Sequence, residues 1–294
     1  MEKHTYLLAK GKIGLSFLTI FLLSATILNA QPAASKLPAR NQRDRLGYFQ
    51  MSRRYNDVIR RGAFVVDLPE EGRFLVFFIP SAASLDKLMI LLHGTGGTAY
   101  DETADEIAMA EEQGYATMAI QWLDKKTNQY DDAFKINRMI DKGMRFLERE
   151  FSAHPSRIAL CGFSRGSVTS FQVAYLDQKS TKYIDMVIAH SGGIPFDSVV
   201  APGESQVPDK IFSELASGKL GRECFKGIDF YLYAGEQDEE WGTKMAEYMR
   251  YTADLVTKNG GRVVRLNIDP QGRHAGYRQN RSYQLEAIKY FLNE

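Results

Sequence analysis

The chain has little cysteine, two in 294 residues, and little histidine, five in all, and neither charge sign dominates: 37 Lys and Arg face 36 Asp and Glu. Two cysteines allow at most one disulfide. The core must come from the 44% of residues that are hydrophobic, in a chain long enough for one large domain. The balanced charge leaves no global field pointing to nucleic acid or to an acidic partner. Internal repeats and low-complexity tracts are absent. The uncharged run from Ile13 to Leu28 falls short of the roughly 20 apolar residues that a membrane-crossing helix needs.

That run follows Lys3, Lys10 and Lys12 and leads to the small residue Ala30, the layout of a secretory signal. Residues 1–30 are therefore expected to be removed near Gln31, giving a secreted or periplasmic protein; Leu28 leaves the cleavage point itself open. An uncleaved membrane anchor is the alternative. Residues 31–46 are rich in Pro, Ala and Ser and then basic, a linker. The arginines continue through "SRRYNDVIRRG", which reads as a short amphipathic element with a solvated basic face. No aromatic residues interleave to suggest stacking on nucleic acid.

From residue 47 to 294 one α/β domain is expected. "GAFVVDL" and "RFLVFFIP", separated by "PEEG", suit an N-terminal antiparallel hairpin. The runs that follow, from "KLMILLHG" to "VVRLNIDP", are apolar without alternation, as in parallel strands buried on both faces. Helical stretches separate them, so a mostly parallel sheet with helices on both faces is the economical architecture. Cys161 then ends one strand while Cys224 precedes another, too far apart for a disulfide, and both are expected to be free thiols.

Ligands of such sheets bind beyond the carboxyl ends of the strands. The segments there include "HGTGG", "GFSRG", "GEQDEEW" and "QGRHAGY". "GFSRG" fits Gly-x-Ser-x-Gly on a strand-to-helix turn, with Ser164 as candidate nucleophile. A serine hydroxyl needs a base, and His274 follows the last strand on a loop between Gly272 and Gly276. The imidazole needs a carboxylate. Asp238 is preferred, with Glu236, Glu239 and Glu240 as competitors. An oxyanion calls for backbone donors: Thr95, with Gly96 as the alternative, and Arg165. His93 is expected to brace the loop by hydrogen bonds.

With "HGTGG", "GFSRG", Asp238 and "RHAG" in Ser, acid, His order, the domain resembles the α/β-hydrolase superfamily. It looks most like secreted polyhydroxybutyrate-depolymerase-like and feruloyl-esterase-like serine esterases. The resemblance implies an eight-stranded sheet, no large lid domain, and hydrolysis of esters through an acyl-serine intermediate without metal or cofactor. The excursion at 195–227 is itself too short for a full lid. Small-molecule, polysaccharide-linked or polyester substrates are the expected partners, with no nucleic acid and no stable membrane span after cleavage. A serine peptidase or amidase and a non-catalytic binding protein are the other classes. Trp122 is a candidate pocket residue or, equally, a buried structural tryptophan, and Tyr277 is a candidate at the mouth. Arg165, Arg273 and Arg278 are a candidate positive rim, with surface cations as the default, and His190 is a core histidine, with a polar contact to the site as the alternative.

Overall fold

Successive side chains of the central strands point to opposite faces of the sheet, and both faces are buried. In a computed structural model, which describes residues 52–80, 85–196 and 210–293, the elements follow one another in a strand-helix alternation. They are α1 (Tyr55–Arg60), β1 (Phe64–Leu68), β2 (Arg73–Phe78), β3 (Lys87–Leu92), α2 (Ala99–Gln113) and β4 (Ala116–Ile120). Then come β5 (Leu123–Asp124), β6 (Gln129–Tyr130), α3 (Ala133–Phe151), β7 (Arg157–Phe163), α4 (Arg165–Gln178) and β8 (Met186–His190). The last are α5 (Lys210–Ala216), β9 (Asp229–Gly235), α6 (Lys244–Lys258), β10 (Arg262–Asp269), α7 (Gly276–Gln279) and α8 (Arg281–Leu292). The expected signal and linker, and residues 197–209 of the excursion, lie outside the described residues.

Eight strands form one sheet in the order β1-β2-β4-β3-β7-β8-β9-β10. β2 is antiparallel to both its neighbours, and the other pairings are parallel. On one face Leu75, Ile90, Leu160, Val187 and Leu232 meet Ile136, Phe171 and Met249 from α3, α4 and α6. On the other, Phe74, Met89, Ala159, Ile188 and Tyr231 meet Val58, Ile107 and Phe291 from α1, α2 and α8. Burial of both faces is why the strands read as unbroken apolar runs. β5 and β6 form a separate ribbon of two residues each, too short to leave a periodicity in the sequence.

Helix α2 is capped by Thr98, whose hydroxyl accepts the Asp101 N–H at 3.2 Å, and ends at Gly114 in the left-handed region. Its carboxylates collect arginines from both ends of the described chain. Arg54 bonds Asp105 at 2.5 Å, Arg61 bonds Glu111 at 2.6 Å, Arg278 bonds Glu102 and Asp105, and Arg281 bonds Glu112. Part of the basic excess near the N-terminus is thus neutralised within the fold. The exposed pairs among them each add little stability, but together the set ties α1, α7 and α8 to α2. Cys161 and Cys224 are free and buried. Among the described residues no helix is long and apolar enough to cross a membrane.

Candidate active site

Ser164 occupies the single residue between β7 and α4, with φ 53° and ψ −117°. A non-glycine residue held there costs on the order of 1–3 kcal/mol and persists only where its surroundings over-determine it. They do so here through backbone contacts. A side chain at Gly162 would run into the carbonyl of Gly166, and one at Gly166 into the carbonyl of Leu92 at the end of β3. Ser164 N–H donates to His190 O at 3.0 Å, and Ser167 Oγ donates to Gly192 O at 2.7 Å. The turn is wedged between β3 and β8, and both flanking glycines are sterically required.

The loops after β9 and β10 are joined backbone to backbone. Gly235 abuts the carbonyl of Gly272 so closely that a Cβ would not fit, and Gln237 N–H donates to that carbonyl at 2.9 Å. This contact brings residues 36 positions apart together: Asp238 Oδ2 lies 2.7 Å from His274 Nδ1. On its other edge His274 Nε2 lies 3.0 Å from Ser164 Oγ. Asp238 Oδ1 accepts the N–H groups of Glu240 and Trp241, both at 2.9 Å.

Of the four acidic candidates, Asp238 alone meets Nδ1. Glu236 pairs with Arg250 at 2.9 Å, and Glu239 accepts the backbone N–H of His274 at 2.9 Å. Glu240 is exposed, with its carboxylate 3.6 Å from His274 Nε2. Burial opposes ionisation of Asp238, but the His274 bond and the two amides outweigh it and hold the carboxyl below its usual range. Burial likewise opposes protonation of His274. The bond to Asp238 and the charges of Asp238, Glu240 and Glu239 win, so its affinity for a proton is raised above the ordinary histidine value of 6.5.

"HGTGG" forms a tight turn beside the serine. Gly97 N–H donates to Gly94 O at 3.2 Å, Gly96 has φ 74°, and a Cβ on Gly94 would lie 3.1 Å from Ser164 Cβ. Gly96 N–H is taken by the Tyr130 hydroxyl at 2.5 Å, so this alternative donor is committed elsewhere, and Thr95 is the exposed residue of the turn that remains. Arg165 opens α4, at the helix end whose partial charge favours anions. His93 is fully buried and pushed down to about 4 by burial, so its ring is neutral, and the proton on Nδ1 donates to Gly94 O at 2.9 Å. It braces the loop as expected.

Two expected pocket residues are elsewhere. Trp122 is 2% exposed, with its ring 4.7 Å from Tyr130 and 5.3 Å from His93, a wall behind the turn and no stacking platform. Tyr277 is also buried, its ring 4.3 Å from His190, because the one-turn helix α7 directs it into the sheet. Arg278 likewise leaves the expected rim. Its guanidinium lies 4.0 Å from the centre of the Phe163 ring, which in turn packs 5.2 Å from His274 and 5.2 Å from His190. Arg273 is exposed, 3.8 Å from Glu239. Of the residues missed from sequence, Tyr130 and Lys125 sit in segments without a motif, and Phe163 fills a variable position of "GFSRG" that the pattern leaves unspecified. Among the described residues no group of three or more His, Cys, Asp or Glu is arranged to hold a metal ion.

The sheet order, the turn at Ser164 and the placement of the two later loops define the α/β-hydrolase fold. Solved structures similar to this chain include an arylesterase, 11% identical with a TM-score of 0.59 over 78% of this chain and 81% of that one. A putative dienelactone hydrolase from Klebsiella pneumoniae is 13% identical, with a TM-score of 0.56 over 79% and 98%. A ferulic acid esterase is 12% identical, with a TM-score of 0.55 over 77% and 96%. No family model matches the chain, and no curated protein matches its sequence.

Proposed function

We propose that this chain is a secreted serine esterase that hydrolyses carboxylic esters through an acyl-serine intermediate. The observation that carries the reading is the continuous relay from Asp238 to His274 to Ser164, at 2.7 and 3.0 Å, on a strained turn. His274 Nε2 takes the Ser164 proton as Oγ attacks the ester carbonyl, then protonates the departing alcohol. It next activates water to release the acid. Asp238 keeps the proton of the neutral ring on Nδ1 and stabilises the imidazolium. Thr95 N–H and Arg165 N–H receive the oxyanion, each worth about 3–4 kcal/mol in the transition state.

The names of the structural neighbours support esters over other acyl substrates, and the motif resemblance points towards feruloyl-type or polyester-type esters. Fold alone does not choose among them. The purified protein should turn over p-nitrophenyl esters of graded chain length, with feruloyl and acetyl-xylan esters separating the subgroups. Faster turnover of peptide p-nitroanilides would move the reading to a peptidase. Export rests on residues 1–30. Sequencing of the secreted form should begin near Gln31, and a retained Met1 would contradict cleavage.

The pH dependence follows from His274. The base works only when neutral, so kcat/KM on p-nitrophenyl acetate should fall as pH drops through a midpoint above 6.5. Glu240→Gln, which removes a carboxylate 3.6 Å from Nε2, should move that midpoint to lower pH. A wild-type midpoint below 6.5 would contradict the reading. Stability runs the opposite way. A raised folded-state value contributes stability in full below the unfolded value, and this is lost as pH rises through the folded one.

A further inference from the structure

The turn that carries Thr95 has three small or flexible neighbours, Gly94, Gly96 and Gly97, and its internal bonds, from His93 and from the Gly97 N–H, both end on Gly94 O. Gly96 is held from outside. Tyr130, on β6, accepts the Gly96 N–H with its hydroxyl at 2.5 Å, while Lys125 Nζ donates to Gly96 O at 2.5 Å. The two contacts hold the peptide planes on either side of Gly96, one of which joins it to Thr95.

The same tyrosine meets the side chain of Arg165, the residue whose backbone N–H is the second proposed donor. The Arg165 guanidinium lies 4.3 Å from the centre of the Tyr130 ring, and Arg165 Nε donates to Thr95 Oγ1 at 3.4 Å. Thr95 to Gly96, Gly96 to Tyr130, Tyr130 to Arg165 and Arg165 back to Thr95 form a closed ring of contacts. The residues carrying both proposed donors belong to it.

A brace is useful only if it is itself held, and the ribbon of β5 and β6 is pinned by buried charge. Arg73, 7% exposed, forks onto Asp131 at 2.6 and 2.9 Å and lies 3.5 Å from Asp124. Lys135 adds a bond to Asp131 at 2.9 Å, and Asp131 N–H closes the ribbon on Trp122 O at 2.8 Å. Asp124 Oδ1 accepts the N–H groups of Lys126 and Thr127 at 2.9 and 3.3 Å and folds the turn that presents Lys125. The Tyr130 ring is backed by Trp122 at 4.7 Å. Bidentate Arg–carboxylate pairs are the geometrically specific ones, suited to an anchor.

Resting on the serine-esterase reading, we infer that Tyr130 is a positioning residue that steadies the two residues carrying the oxyanion donors, Thr95 through Gly96 and Arg165 through its side chain. Donors aimed in advance at the developing charge act without reorganisation during the reaction, and small misplacements cost much of that benefit.

Tyr130→Phe keeps the ring, with its contacts to Trp122 and Arg165, and removes only the hydroxyl. On p-nitrophenyl acetate its kcat should fall on the order of ten- to a hundredfold with KM nearly unchanged. Phenylboronic acid supplies a readout that a merely structural role would not move. Its boron takes an electron pair from Ser164 Oγ, the Oγ proton passes to His274, and the resulting anionic tetrahedral adduct needs both donors. Its affinity should fall in parallel with kcat, while Tm moves little. Lys125→Met, which releases Gly96 from its carbonyl side, should show the same signature more weakly, and it carries the test if Tyr130→Phe does not fold. Unchanged kcat, or a lower kcat with full phenylboronic acid affinity, would overturn the proposal. Fluorophosphonate labelling of the wild type separates the two levels. If Ser164 is not labelled, the esterase reading fails; if it is labelled and Tyr130→Phe turns over at the wild-type rate, only the role of Tyr130 fails.

Discussion

Ser164→Ala is expected to lower kcat on p-nitrophenyl esters by on the order of 10⁴- to 10⁶-fold and to abolish labelling by a fluorophosphonate. The size follows from the proposed division of labour. The hydroxyl is the atom that forms the acyl bond, and without it only binding and the oxyanion donors remain to accelerate attack by water. The substitution removes one oxygen and leaves the turn intact. Alanine meets the same cost at φ 53°, and the backbone contacts that enforce it, at Gly162, Gly166 and Gly192, are untouched. His274 keeps its bond to Asp238 at 2.7 Å. An unchanged Tm with lost turnover would therefore locate the chemistry at Oγ. Undiminished labelling of the variant would place the nucleophile elsewhere.

Asp238→Asn should retain the fold and lower kcat by on the order of 10⁴-fold. The amide oxygen can still accept the Glu240 and Trp241 N–H groups, so the loop keeps its shape. Its NH₂ then faces Nδ1 and turns that nitrogen into an acceptor. The proton moves to Nε2, the atom 3.0 Å from Ser164 Oγ, where it blocks proton uptake. The imidazolium also loses its closest negative charge. Glu236→Gln and Glu239→Gln should have small effects by comparison, since Glu236 faces Arg250 and Glu239 bonds the His274 backbone N–H and lies by Arg273, neither touching the imidazole. A loss at Glu239 as large as that at Asp238 would overturn the assignment.

Much of the architecture was legible because this sheet is buried on both sides. Two-sided burial writes itself as apolar runs, and the turn at Ser164 writes itself as two glycines that backbone contacts demand. The choice within "EQDEE" was less legible. It depends on the backbone contact between Gly235 and Gly272, which no spacing reveals. Trp122 and Tyr277 misled for one reason: both follow a strand end on the correct side of the sheet, but local packing turns their rings inward. Arg278 looked like a surface cation, yet its partner Glu102 lies 176 positions away. Tyr130 was invisible for a further reason. Its ribbon has two residues per strand and is held by charges from β2, so neither period nor propensity announces it.

The Arg278 contact also bears on the order in which the molecule becomes competent. His274 lies in the last tenth of the chain, and four residues later Arg278 reaches back across 173 positions to Asp105 while covering Phe163 beneath the nucleophile turn. Links of such sequence separation raise the contact order, which slows folding. During synthesis the residues around Ser164 emerge well before His274 does. Under the esterase reading, Ser164 has no base until the segment carrying His274 and Arg278 docks, so the first ester turnover of a refolding chain should report that docking.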